Sequence, residues 1–406
     1  MRNLKGFFDL PLRFWIVAAI AFINAVSFTI LIPILYPYAK QFGLSDFQAS
    51  LLISGFAISQ FLATPILGRF SDFWGRKPVL IISLLGTVAA NLLASFTPIV
   101  SLLFLARILD GLTGGNNSIA SAIVSDTTTP EERPKAFGLL DAAFRLGFMT
   151  GPAISYFAQS LPPFPGVSPL GMSFFVAATI AAIATGLTWV FLPETLPQRQ
   201  KIRISWKIFG FGKIFTSIGR PIVGRLFLLT FFSGFTFTIF TFALQPFFLN
   251  VLGRNAKELA ILFTLVGVVG VITQIFFTEP ITRRFNLAAI LCVTLAGRGI
   301  TFLLMPLFPS LTVFLLLGVL LSAFNAFPMP LINAILSVQS SDREQGEILG
   351  INSSYLSISN AIGPAIAGIL VSFSYVIPFW IAGFLTLLTA GFALSLRGLV
   401  GCQKAS

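Results

Sequence analysis

Histidine does not occur in the 406 residues, cysteine occurs twice, and acidic residues number 14 against 26 basic ones. Without histidine the chain has neither the commonest metal ligand nor the side chain that ordinarily switches charge near neutral pH. The two cysteines, Cys292 in an apolar run and Cys402 near the end, support neither a disulfide framework nor a metal centre. Charged residues make up only 10% of the sequence, against about 25% in soluble domains. That scarcity excludes an ordinary soluble fold. The sequence shows no phosphate loop, no metal motif and no convergent pair of catalytic carboxylates, so an integral membrane enzyme is not expected and no cofactor is implied.

What is abundant is apolar surface. Hydrophobic residues make up 56% of the chain and mean hydropathy is +0.92. Apolar runs of roughly 20 residues, the length that crosses a hydrocarbon core of about 30 Å, alternate with short polar or Pro/Gly segments. We read twelve such runs, which predicts an all-α polytopic membrane protein; barrel strands would be shorter and would alternate polar with apolar. The net charge of +12 then reads as a topology signal rather than a nucleic-acid footprint. With the N-terminus inside, Lys40, Arg254 and Lys257 are the outer-loop cations, and most other Lys and Arg lie in inner segments such as 69–77 and 194–220. Both termini are therefore expected in the cytoplasm of a plasma (inner) membrane, with the basic excess also facing anionic lipid headgroups. The opening "MRNLKGFFDLPLRFW" leads into a run too long, and too lacking in a small-residue cleavage site, for a removable signal.

The chain repeats itself. "AISQFLATPILGRF" (57–70) lies over "VITQIFFTEPITRR" (271–284), matching Gln60 with Gln274, Thr64 with Thr278 and Arg69 with Arg283. Further on, Gly138 matches Gly350 and the pair Gly151-Pro152 matches Gly363-Pro364. This predicts a six-helix bundle over 1–193, a basic cytoplasmic linker over 194–220 and a second six-helix bundle over 221–406. Within the linker, "RISWKIFGFGKIF" (203–215) has the amphipathic character of a segment lying on a membrane surface. Parallel six-helix repeats put a substrate path near the midplane, between halves that rock against each other.

Between the second and third runs stands "GRFSDFWGRKPVL" (68–80). Gly68 and Gly75 allow a tight turn, and Asp72 can accept from a helix N-terminus or pair with an arginine. Gly68, Asp72, Gly75, Arg76 and Lys77 match the pattern Gly-x-x-x-Asp-x-x-Gly-Arg-Lys, and in this the chain resembles the major facilitator superfamily over nearly its whole length. The resemblance implies that Asp72 helps latch the cytoplasmic side, with Asp126 at the end of helix 4 and Arg76 as their shared cation; the plainer alternative is that Arg69, Arg76 and Lys77 only anchor topology. Arg283, the repeat mate of Arg69, and Glu279 four residues before it would be gate residues in the second half. "GFMTGPAIS" (147–155) carries Gly147, Gly151 and Pro152 of a helix 5 pattern similar to that of drug/proton antiporters, although Ser155 and Tyr156 replace its last two glycines. Leu103, Arg107, Gly111 and Gly114 match that group's helix 4 pattern. An exporter is implied over an importer.

Five ionisable residues fall inside the apolar runs: Arg107 and Asp110, Asp141 and Arg145, and Arg298. Burying such groups costs several kcal/mol unless they are paired or wetted. The first two pairs are spaced i, i+3 and i, i+4, which suits static intrahelical pairing. The alternative is that an aspartate exchanges its arginine for a proton during a transport cycle, with Asp141 the first candidate and Asp110 the second. Arg298 has no charged neighbour on its helix; it can bind an anionic substrate group, snorkel, or reach a distant acid. The tetracycline antiporters carry embedded acids near positions 24, 91 and 298, where this chain has Asn24, Asn91 and Arg298. A tetracycline–magnesium substrate is therefore not expected, and no metal site is.

The 46 phenylalanines are concentrated partly in helix 7; most are expected to face lipid or the bundle interior, and the rest, with Asn24, Gln245, Asn325, Asn333 and Asn352, suggest an aromatic, weakly polar substrate cavity. The reading is a secondary active transporter, monomeric and energised by a proton gradient, exporting small amphipathic molecules. The alternative is an importer or facilitator of a specific metabolite, anionic or neutral.

Overall fold

The computed structural model describes residues 10–129, 131–196, 211–340 and 344–396, and among them every regular element is helical. The N-terminal part holds α1 (Leu12–Thr29), α2 (Leu35–Gln41), α3 (Asp46–Trp74), α4 (Arg76–Phe96), α5 (Val100–Thr113), α6 (Asn116–Thr127), α7 (Arg133–Ala158) and α8 (Gly171–Phe191). After a short α9 (Phe211–Ser217) come α10 (Val223–Pro246), α11 (Ala256–Ile272), α12 (Thr278–Arg284), α13 (Leu287–Leu304), α14 (Leu311–Asn325), α15 (Pro328–Val338), α16 (Gln345–Phe373) and α17 (Ile377–Leu394). The linker stretch 197–210, with Arg199, Lys201, Arg203 and Lys207, lies outside the described residues, as do Arg343 and Cys402.

Grouped by their breaks, these helices give twelve crossings. Among the described residues, ten segments are long and apolar enough to span a membrane. The other two are the ones that carry the acid–arginine pairs. One is α5–α6, whose pieces of 14 and 12 residues are each too short alone. The other is α7, where Arg133, Lys135, Asp141 and Arg145 dilute the apolar run. The remaining breaks have local causes: Pro33 lacks the N–H that would continue α1 into α2, and π-helical turns at Phe247–Val251 and Thr273–Phe277 interrupt the crossings of α10 and α11.

The chain forms two compact units, residues 1–38 with 59–209 and residues 39–58 with 210–406. This division departs from the sequence halves at 39–58. That segment, closed on itself by the Lys40–Asp46 ion pair (2.9 Å), packs Ser50 and Phe47 closely against Gly368 of α16 in the second unit. Inside each unit the repeat is visible in the partners. In the first, α1 lies along α7 and α4 along α8; in the second, α10 lies along α16 and α13 along α17.

Small residues mediate these pairings. Gly147 lies against the Phe22 carbonyl and Ala25, and Gly151 against Thr29, so α7 approaches α1 too closely for a side chain at either glycine. Gly363 meets Thr238 and the Phe235 carbonyl of α10 in the same way. In lipid, where burying apolar surface between helices gains little, such backbone proximity supplies the van der Waals attraction that joins them. Large apolar side chains such as Trp189, Phe373 and Phe384 are left on the surface, as a bilayer solvent permits. Ser155, standing where the helix 5 pattern has glycine, is fully buried and 3.5 Å from the Ser173 hydroxyl of α8.

Candidate functional site

The turn between α3 and α4 is one residue long, Gly75, with φ of 116°. Glycine is required there twice over, by that backbone angle and because a Cβ would run into the Glu194 carboxylate. Gly68 does not take part in the turn: it lies inside α3, and a Cβ there would meet nothing within 4 Å. The tight-turn expectation for Gly68 is corrected accordingly, because α3 stays helical to Trp74.

Arg76 begins α4 and is buried. It pairs with Asp72 at 2.5 Å, across the Gly75 turn on α3, and through Nε with Asp126 of α6 at 2.9 Å, while Nη1 donates to the Ser71 hydroxyl at 2.7 Å. One guanidinium thus ties α3, α4 and α6 together, the planar fork serving two carboxylates at once. Lys77 Nζ donates to the Trp189 carbonyl of α8 at 2.7 Å. Sequence reasoning missed Glu194. Its carboxylate accepts from the Arg76 N–H (2.9 Å) and the Lys77 N–H (3.3 Å), and from Thr195 and Leu196. It caps the N-terminus of α4, where Gly75 offers no side chain, and holds the end of α8 to it. The signal was a lone acid in "LPETLP", distant in sequence from the motif it serves. In the second unit Arg283 pairs with Glu279 within α12, both exposed.

The embedded charges separate by burial. Arg107 and Asp110 pair at 2.8 Å on α5 with side chains only 5% and 8% exposed, and Thr87 of α4 is within hydrogen-bonding reach of the carboxylate. Asp141 and Arg145 pair at 2.7 Å on α7 but are 60% and 39% exposed. Three residues beyond Asp110 the helix breaks at Gly114–Gly115. There Gln60 of α3 donates to the Gly114 carbonyl at 2.9 Å, and Leu67 of α3 packs where a Cβ on Gly115 would stand. Asn116, the first residue of α6, donates to Asn24 Oδ1 of α1 at 3.0 Å. A discontinuous helix inside a bundle, with a freed carbonyl met by the Gln60 amide, is tolerated where it is screened from lipid.

The second unit has its own polar cluster. Arg298 of α13 is 2% exposed; Nη1 donates to Asn325 Oδ1 at 3.2 Å, and Nη2 to the Ser233 carbonyl at 3.0 Å and the Thr236 hydroxyl at 3.4 Å. The Phe237 and Phe302 rings lie about it at 6.0 and 5.9 Å. Asn352 of α16 donates to Asn333 of α15 at 2.8 Å, and Gln245 is buried in α10. Of the residues expected to line a cavity, Asn24 meets Asn116 in the first unit, while in the second Asn325 meets Arg298 and Asn333 meets Asn352. Among the described residues no group of acids or cysteines could hold a metal ion.

Comparison with known proteins agrees with this geometry. Residues 17–224 and 226–399 match the model of the Major Facilitator Superfamily. Multidrug resistance protein 2 of Bacillus subtilis is 29% identical over 377 residues, covering 92% of each chain. The class B tetracycline resistance protein of Escherichia coli is 26% identical over 371 residues, 90% of this chain and 89% of that one. The human organic anion transporter MFSD10 has the same fold, with a TM-score of 0.71 over 95% of this chain and all of that one at 23% identity. With its two repeated helical units and this match along nearly its whole length, the chain belongs to the Major Facilitator Superfamily.

Proposed function

We propose that the protein is a secondary transporter of a plasma membrane that exports small amphipathic molecules in exchange for protons, as a monomer with both termini in the cytoplasm. Its kinship with proteins named for multidrug and tetracycline resistance supports export. The observation that carries proton coupling is the Arg107–Asp110 pair. A buried carboxylate that loses its arginine must take up a proton or leave an uncompensated charge in the bilayer core. Located three residues before the break in the α5–α6 crossing, Asp110 would change partners if that break flexed. Asp141, exposed beside Arg145, is the second candidate. Arg76, Asp72 and Asp126 serve as a latch in this reading, with Arg283 and Glu279 as gate residues of the second unit.

Asn24, Asn91 and Arg298 stand where the tetracycline antiporters carry acids, which argues for another substrate. The test is efflux of cationic, neutral and anionic fluorescent amphipaths from inverted vesicles with an imposed pH gradient, comparing wild type with D110N and D141N. Gradient-driven transport lost in D110N and kept in D141N is expected. Transport indifferent to the gradient and to both substitutions would overturn proton-coupled export.

A further inference from the structure

A buried guanidinium in a membrane protein normally has a carboxylate beside it. Arg298 does not. Every partner it has among the described residues is neutral: an amide oxygen, a backbone carbonyl and a hydroxyl, while its Nε–H has no acceptor at all. Arg107, equally buried, shows the ordinary solution three residues from its own acid. Neutral acceptors satisfy the geometry of a guanidinium but leave its full charge uncompensated, at a cost of several kcal/mol. A chain that only needed to join α10, α13 and α14 would do so more cheaply with an amide or a hydroxyl.

Position and surroundings say what would compensate it. Arg298 is the twelfth residue of α13, roughly 17 Å along the helix axis from its start, close to mid-membrane and out of reach of a headgroup held at the interface. Arg298 itself is buried, but two of the side chains around it, Phe237 and the Asn325 that accepts from Nη1, are only half-buried. The rings of Phe237 and Phe302 flank the cation. A planar donor fork next to aromatic faces is matched by a carboxylate on an apolar, aromatic body.

We propose that Arg298 is an anion-binding residue that seats the carboxylate of an amphipathic aromatic substrate, with Asn325 as the group it displaces or shares. This rests on the export reading and narrows its substrate class.

The test uses the purified full-length protein in phosphatidylcholine nanodiscs, titrated with pyrenebutyrate and with its methyl ester and read by fluorescence anisotropy. Wild type should bind the acid at least tenfold tighter than the ester. R298Q should bring the ratio to about one with ester affinity unchanged, and R298K should keep only part of the preference, since lysine offers a point charge in place of the fork. If R298Q does not fold, N325D decides the matter: it supplies a resident carboxylate opposite the guanidinium, so it should raise thermal stability and abolish the preference for the acid. Equal affinities in wild type, no binding of either probe, or a preference that survives R298Q or N325D overturns the proposal. Repeating the titration in phosphatidylglycerol nanodiscs should leave the preference intact, and its loss there would reassign the site to a lipid headgroup. Acid preference without gradient-driven efflux would sink the export reading alone, and efflux without acid preference would sink the anion site alone.

Discussion

The Thr29 hydroxyl of α1 donates to the Gly147 carbonyl of α7 at 3.0 Å while occupying the space that a side chain on Gly151 would need. In the second unit Thr238 of α10 donates to the Ser359 carbonyl of α16 at 3.2 Å and stands against Gly363 in the same way. The Gly-Pro repeat thus encodes two equivalent joints. Each combines backbone contact with one hydrogen bond between helices, buried at Thr29 and partly buried at Thr238.

These joints make a stability prediction. G151V and G363V each overpack a closed helix contact, which costs about 1–3 kcal/mol or more. T29A removes one hydrogen bond and relieves no clash, so it should cost only about 1 kcal/mol. Thermal unfolding followed by size-exclusion fluorescence should rank both valine variants well below T29A, and the double variant T29A/G151A should recover part of the loss seen in G151A.

Arg76 is shared between Asp72 and Asp126, so its loss strands two carboxylates at once. R76A should lower transport by an order of magnitude or more and reduce thermal stability. R76K should fall between, because an ammonium cannot serve both acids through a planar fork. D72N and D126N should each be milder than R76A, since each leaves Arg76 with one carboxylate.

Glu194 and Gly75 should behave as one unit. G75A forces a β-carbon into a left-handed backbone conformation and into the Glu194 carboxylate, and E194A removes the cap of α4. A cap of this kind is worth about 0.5–2 kcal/mol. Each substitution alone should impair transport, and the double variant should be no worse than G75A. A sum of the two effects would show that they act separately.

Asp110 and Asp141 differ in burial, and their substitutions should differ in kind. D110N leaves Arg107 buried without its acid and should abolish gradient-driven efflux while leaving substrate exchange measurable. D141N should change efflux less than about threefold. Transport traces at two imposed pH gradients distinguish these outcomes from simple loss of protein.

The Asp72–Arg76 pair was legible in the sequence because its residues are close together, four positions apart across the Gly75 turn. The i, i+3 and i, i+4 acid–arginine pairs were legible for the same reason. Which pair is buried was not, since burial depends on helices far away in the chain. Glu194 was missed because it reaches Gly75 only through the fold, and Gly68 was overread because the motif's spacing does not show where α3 ends. The amide residues gave no sign of their partners, Arg298 for Asn325 and Asn352 for Asn333, a matter of which helix faces turn toward each other.

Composition and periodicity by themselves determined that this chain is helical, membrane-embedded and internally repeated. Hydrocarbon leaves a backbone only the helix or the closed barrel to satisfy its hydrogen bonds, and continuous apolar runs of crossing length select the helix. The tertiary structure alone decided the partners: which glycine meets which threonine, that Arg76 serves two acids while its N–H meets a third carboxylate from the segment after α8, and that Arg298 is surrounded by neutral acceptors. Those choices depend on helix rotation and depth, which packing fixes and hydrophobic pattern leaves free.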